Sequence, residues 1–443
     1  MSTLNEHLIL DRLTRWWNPT RVDHMTLKTR ETDPGGAFEG QNFYIPRDNV
    51  SGTHPLYRLR GQVNQKVDHM DSTIHNEGGY INEGILGFPF ANQKLGTVPL
   101  KRWYLQGQDH LTAFNEESPA GYQLEGPLGY GYPRWGNVGE NTATIQTAQV
   151  KLGINLVAGG AVSKLWWGGK QFVNNSDYGR QIQVAFNLTN TSEEYNPTEA
   201  GDKYGWKTGE PNPGFAHGSP LLSYSVNGNV LETKTAPLLW KPELVTGGPD
   251  QPALWKSGTI AKRIELNYQN YANLIHWQTT VETTTNHPTF AIEIVTAHLT
   301  GDFNRFYAFK NNVLIEKTAT VPNFDCLVDD DLAIQKGGVI LATANGDYAL
   351  GVYRNYGPGL YALCKFTDPA SGNGEYDFNI GKWSALRNMS ATPVPVRQCL
   401  PGLKTGTHSW TAILIVGNLE LVETAMRYMC VNNWPTPAVE VGM

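Results

Sequence analysis

The sequence is short of charge: Asp, Glu, Lys and Arg make up 17% of its 443 residues, and no basic block occurs. Neutralising a phosphate backbone takes clustered Lys and Arg, so a formal charge of −6 without such a cluster points away from a nucleic-acid partner. Long apolar runs are missing too. The best, residues 412–416, is far too short to cross a bilayer, so no membrane-spanning segment is expected. The first 17 residues carry Glu6 and Asp11 and lack both an apolar stretch and a small-residue cleavage site, so no signal peptide is visible. This leaves a cytoplasmic protein, a mature secreted form, or export by a non-classical route. Cysteine is scarce: Cys326, Cys364, Cys399 and Cys430 follow no zinc spacing and form no CxxC, so neither a metal nor a cofactor is expected. Buried free thiols, or one or two disulfides, both fit that count. The sequons at Asn49, Asn174, Asn187, Asn190 and Asn388 carry little weight without a secretion signal.

What the chain does contain is 46 Gly, 26 Pro, 20 Tyr and 13 Trp. Helices draw on Ala, Leu, Glu and Lys, whereas proteins with many chain reversals need Gly and Pro. The composition therefore predicts mostly β-structure, and the length predicts two or three domains.

Self-similarity is the strongest pattern. Leu13-Thr14-Arg15-Trp16, Asp23-His24-Met25-Thr26 and Phe38-Glu39-Gly40 align with Leu56-Tyr57-Arg58-Leu59, Asp68-His69-Met70-Asp71 and Glu83-Gly84. They align again with Leu100-Lys101-Arg102-Trp103, Asp109-His110-Leu111-Thr112 and Glu125-Gly126. The arginines are 43 and 44 residues apart, the aspartates 45 and 41, and the glutamates 44 and 42, so several features keep phase over three copies. Each copy reads as short alternating strands split by Gly, Asn and Pro. Three such units closing about one axis would hide their strand edges, which is the β-trefoil arrangement.

The pattern resembles a repeat carried in tandem by many secreted microbial proteins, often beside hydrolase domains, and more loosely the ricin-type trefoil lectins. The resemblance covers residues 12–134 and implies sugar binding. A pyranose offers hydroxyls that need paired donors and acceptors, and a C–H face that stacks on a ring. Asp23/His24 with Trp16, Asp68/His69 with Tyr57, and Asp109/His110 with Trp103 are the sugar-binding residues expected on that basis. The opposing reading is that the aspartates tie down turns, the histidines sit satisfied in a core, and Arg and Glu form one ion pair per unit. Copy two departs from the others at Leu59 and Asp71, so it is expected to bind differently or not at all.

Residues 136–147 read as a polar, glycine-bearing linker, and residues 148–443 as one large antiparallel β-sandwich without a second repeat. Strands are expected near 150–157, 181–188, 263–268, 274–281, 290–295, 339–341 and 348–352, and helices at 419–428 and 4–13. The small-residue bend Ala158-Gly159-Gly160-Ala161, followed by Trp166-Trp167 and a Lys170 turn, resembles the first hairpin of galactose-mutarotase-like supersandwiches. That resemblance implies sugar epimerase or carbohydrate-cleaving relatives, with substrate-facing loops near 177–183 and 195–201. Arg180 is then a candidate clamp, Glu199 a candidate base, and His298, His276 or His217 the partner acid. Trp166 and Trp167 form a second candidate platform.

The fold class expected is all-β: an N-terminal β-trefoil-like threefold repeat over 1–135 and a supersandwich-like β-sandwich over 148–443. The function expected is lectin-like glycan binding, with a second domain that binds or processes glycans. An enzyme, if it is one, would be a glycoside hydrolase, polysaccharide lyase or sugar epimerase. The alternatives are a lectin-targeted toxin or pore-forming protein, and a non-catalytic adhesive protein. The partners expected are glycans or glycoconjugates.

Overall fold

The computed structural model describes residues 7–28, 31, 33–94, 97–114, 118–133, 142–156, 158–174, 181–188, 196–202, 218–242, 252–323, 325–328, 333–334, 336–354, 359–366, 380–387 and 400–432. Among the described residues the fold is nearly all β, with one α-helix near the end and large antiparallel sheets. It divides into two compact units: 1–136 with 242–254, and 137–241 with 255–443.

In the first unit each copy of the repeat supplies three strands. Copy one gives β1 (His7–Asn18), β2 (Asp23–Lys28) and β3 (Ala37–Pro46); copy two gives β4 (Leu56–Val63), β5 (Lys66–Ser72) and β6 (Ile81–Gly87); copy three gives β7 (Val98–Leu105), β8 (Asp109–Phe114) and β9 (Gln123–Pro133). In every copy the first strand lies between the other two, antiparallel to both. The β4–β5 reversal is tight because Asn64 and Gln65 both take left-handed backbone angles, φ 49° and 69°, matching the twist of a two-residue hairpin. The middle strands β2, β5 and β8 contact one another pairwise. Leu13, Leu56 and Leu100, the in-phase leucines of the repeat, meet with Phe43, Ile45, Leu86 and Leu128 in one core. Residues beyond the repeat belong here too: Leu10 N–H donates to the Pro252 carbonyl at 3.2 Å.

Of residues 4–13, read above as a helix, those from His7 onward contribute instead to β1, which pairs with both β2 and β3, and residues 4–6 lie outside the described residues. Pairing on two sides outweighs a weak local helical period. Within the segment read as a linker, Thr142–Gln146 is a strand antiparallel to Val150–Asn155.

The second unit holds a nine-stranded antiparallel sheet in the spatial order Leu221–Asn227, Val230–Thr235, Gly258–Leu266, Leu274–Thr283, Gly406–Gly417, Ala349–Arg354, Gly337–Ala342, Arg305–Lys310 and Val313–Glu316. One face joins a core shared with strands His287–Thr300, Gly359–Phe366 and Ile380–Arg387, through Ile260, Ile264, Trp277, Val295, Tyr361 and Trp383. Alternation sets the faces: on Gly258–Leu266, residues 260, 262, 264 and 266 are buried and those between are half-buried. The helix α1 (Leu419–Val431) is capped by Asn418, whose side chain accepts from Leu421 N–H at 2.8 Å. It packs Val422, Met426, Met429 and Cys430 on the other face, against Tyr307, Ile340, Tyr353 and Ile413. Cys326 and Cys364, opposite each other on paired strands, form a disulfide, while Cys430 is a buried free thiol. Cys399 lies outside the described residues.

Candidate functional site

The aspartates and histidines of the repeat face inward, and each aspartate serves the next copy. Asp23 accepts from the backbone N–H of His69 at 2.8 Å with one oxygen and meets its Nδ1 at 2.8 Å with the other. Asp68 does the same for His110, at 3.0 and 2.6 Å, and Asp109 for His24, closing the cycle. All three aspartates are wholly buried, their oxygens within 4.8 Å of one another, and each is bonded to the imidazole it faces. Burial alone would lower the pKa of His24, but its hydrogen bonds to Asp109 and Glu39 and their charges outweigh this and raise it to about 9.

A second layer surrounds the first. Arg15 pairs with Glu39 at 2.7 Å, Arg58 with Glu83 at 3.0 Å and Arg102 with Glu125 at 2.7 Å. Each arginine also donates to a backbone carbonyl of another copy: Thr112, Thr26 and Asp71 respectively. Asp71, out of pattern in the sequence, has a packing reason. Its carboxylate accepts from the hydroxyls of Thr26 at 2.6 Å and Thr112 at 2.5 Å, which occupy the same place in the other copies. Burial pushes the Asp71 pKa up, against those hydrogen bonds and the nearby Arg58 and Arg102.

The expected sugar ligands Asp23, Asp68 and Asp109 therefore have no open approach, because their oxygens bind the protein's own backbone and imidazoles. Residues that keep phase build the frame. His69 and His110 are buried with them and His24 is half-buried. The expected platforms are not equivalent either. Trp103 is buried against Leu111 and Ala113, Tyr57 meets His75 edge-on at 5.2 Å, and Trp16 is half-buried with its Nε1 donating to Thr14.

The residues that break phase converge elsewhere. In copies two and three a phenol serves the local aspartate, Tyr80 on Asp68 and Tyr122 on Asp109, both at 2.6 Å. In copy one Arg21 takes that role, bonded to Asp23 at 3.3 Å and to Asp33 at 2.6 Å. Two residues after the repeat arginine stand Trp17 and Tyr104, whose rings lie 4.5 and 4.4 Å from those of His24 and His110; copy two has Arg60 there. Arg21, Asp33 and Arg60 all line one open cleft of about 490 Å³, with Met25, Leu27, Val67, Glu31, Arg58, His69 and Glu83. Sequence reasoning missed these residues because it sought function in what recurs; their signal was departure from an otherwise kept phase.

In the second unit the candidates are dispersed. Glu199, expected as a base, is wholly buried. Its Oε1 accepts from the equally buried Lys262 ammonium and its Oε2 from Val184 N–H at 3.0 Å. Lys262 also donates to the Gly160 carbonyl at 2.7 Å and lies 5.0 Å from the Trp277 ring centre. Desolvation raises the Glu199 pKa and lowers that of Lys262, each against their mutual attraction. The bend read from the sequence matters here: a side chain at Gly159 (φ 59°) would collide with the Glu199 carbonyl. With both oxygens occupied and no exposure, Glu199 is a strut rather than a base.

His298 is buried on strand His287–Thr300, its Nδ1 3.1 Å from the Gln181 carbonyl. It lies opposite Lys382, and in the neighbouring row Thr296 bonds Ser384 at 2.8 Å. His276 is half-buried, stacked on Tyr268 at 4.5 Å, and burial followed by Arg263 lowers its pKa. Trp166 is exposed and Trp167 half-buried beside Tyr348. Arg180 and His217 lie outside the described residues.

No family model and no curated protein matches the sequence. Among solved structures the chain is similar to a galactose mutarotase-like protein from Clostridium acetobutylicum, at 10% identity over 62% of this chain and 93% of that one, with a TM-score of 0.33. It is also similar to a GH36 α-galactosidase from Geobacillus stearothermophilus, at 9% identity over 64% of this chain and 42% of that one, TM-score 0.33. A 4-α-glucanotransferase from Thermococcus litoralis follows at 11% identity over 63% and 38%, TM-score 0.29. At such identities the chemistry of this chain has to be argued from its own side chains.

Proposed function

We propose that the protein binds glycans, and that the saccharide sits in the cleft where copies one and two of the repeat meet. The observation that carries this reading is the convergence of Arg21, Asp33 and Arg60, three residues that depart from the repeat, on a single open cleft. A volume of about 490 Å³ is in the range of small-ligand sites. Met25, Leu27 and Val67 give an apolar surface for a sugar's C–H face, and the guanidinium and carboxylate groups around them supply donors and acceptors for hydroxyls. The inward ring of Asp23, Asp68 and Asp109 with its histidines holds the copies together, and the three buried carboxylates are withheld from ligand. A lectin-type, β-trefoil-like arrangement of residues 1–135 belongs to the same proposal; its support is the cyclic bonding of three copies.

The test is a glycan array on the full chain, followed by calorimetric titration of any sugar that binds. Val67→Trp fills the cleft while leaving the ring carboxylates in place, and is expected to abolish binding while leaving thermal unfolding unchanged. Unaltered binding in that variant would remove the cleft from consideration.

A further inference from the structure

We propose that the saccharide held in this cleft is acidic, and that Arg60 receives its anionic group; this rests on the cleft being the glycan site. The argument is one of charge already spoken for. Arg21 is bonded to Asp23 and Asp33. Arg58 is bonded to Glu31 at 2.8 Å and Glu83 at 3.0 Å. Each of these guanidiniums therefore faces two carboxylates, and an incoming anion would have to displace one of them. Arg60 is exposed, projects from β4 opposite His69 on β5, and has no ion-pair partner among the described residues.

Comparison of the copies strengthens this. At the same place copies one and three use Trp17 and Tyr104, whose rings pack against their own histidines, tilted in the first pair and stacked in the second. Exchanging an aromatic ring for a guanidinium gives up that ring contact and adds nothing to the frame, since among the described residues Arg60 bonds to no other copy. What the exchange does supply is a planar fork of donors suited to a carboxylate, in a cleft that Met25 and Val67 also line. A hexuronate combines such a carboxylate with a C–H face and hydroxyls on one ring. A basic sugar would meet the unpaired positive charge of Arg60 and is disfavoured.

The probes are a tetrasaccharide of galacturonate and its neutral galactose counterpart, titrated into the full chain at low and at moderate salt. Two variants go with them: Arg60→Gln, which removes the charge, and Arg60→Tyr, which restores the residue of copy three and so guards against misfolding. The intact protein is expected to bind the acidic tetrasaccharide roughly ten-fold or more tighter than the neutral one, the scale of a charged hydrogen-bond pair. Added salt should narrow that margin, and both variants should erase it. Equal binding of the two sugars, unchanged in either variant, would overturn the inference and leave the cleft as a neutral-sugar site. Binding of neither sugar, together with an array on which Val67→Trp alters no signal, would instead overturn the glycan reading itself.

Discussion

Replacing Asp109 by Ala removes three bonds at once. Its carboxylate accepts from His24 N–H at 2.8 Å, from His24 Nδ1 and from the Tyr122 hydroxyl at 2.6 Å. Breaking a buried charged pair by deleting one partner costs about 3–5 kcal/mol, against a typical domain stability of roughly 5–15 kcal/mol. The pH dependence offers an independent reading. His24 has a folded pKa of about 9 against roughly 6.5 when unfolded, so folding favours its protonated form by about 3 kcal/mol. Because the folded value is the higher one, this stability is fully present below about pH 6.5 and is lost as pH rises through about 9. The assay is urea unfolding at about pH 6 and about pH 10, read by pulse proteolysis with fragment masses so that loss of the N-terminal unit is seen separately. The intact protein should lose stability in that unit on the alkaline side. Asp109→Ala should be destabilised at about pH 6 and should show a much flatter dependence. An intact N-terminal unit equally stable at both pH values, or a variant within about 0.5 kcal/mol of it, would refute the account of the ring.

Lys262→Met leaves the Glu199 carboxyl buried without its partner and should cost about 3–5 kcal/mol in urea unfolding; adding Glu199→Leu should recover much of that, and a double variant as unstable as the single would contradict the pairing. Asp71→Ala strands the hydroxyls of Thr26 and Thr112, at about 1–3 kcal/mol each. Asp71→Asn keeps an acceptor oxygen and should cost distinctly less; the reverse order of melting temperatures would count against this bonding.

Much of the fold was legible because its signals are periodic. Leu13, Leu56 and Leu100 recur in phase and meet in one core. The strands read at 263–268 and 274–281 correspond to Gly258–Leu266, which ends two residues earlier than expected, and Leu274–Thr283, and the 419–428 periodicity lies within the helix Leu419–Val431. The segment 4–13 misled because its local period is weak and the partners of its described residues lie far along the chain, at Lys28 and 43–46. That residues 242–254 belong with the first unit had no local signal at all.

The candidate site was less legible, for a related reason. A residue repeated three times in one chain is chemically loud, yet recurrence is what symmetric packing demands, and Asp23, Asp68 and Asp109 answer that demand. Glu199 sits in a polar loop sequence, but its buried partner Lys262 is 63 residues away. Arg21, Asp33 and Arg60 acquire meaning only once three copies are superposed and the exceptions are seen to share a place.

The most direct test of the central claim is glycan affinity measured on folded protein for two variants side by side, Val67→Trp in the cleft and Asp68→Asn in the ring. Loss of affinity in Val67→Trp with thermal stability kept, and loss of thermal stability in Asp68→Asn with affinity kept, is the predicted outcome. The opposite pairing, a cleft variant that binds normally and a stable ring variant that does not, would contradict it.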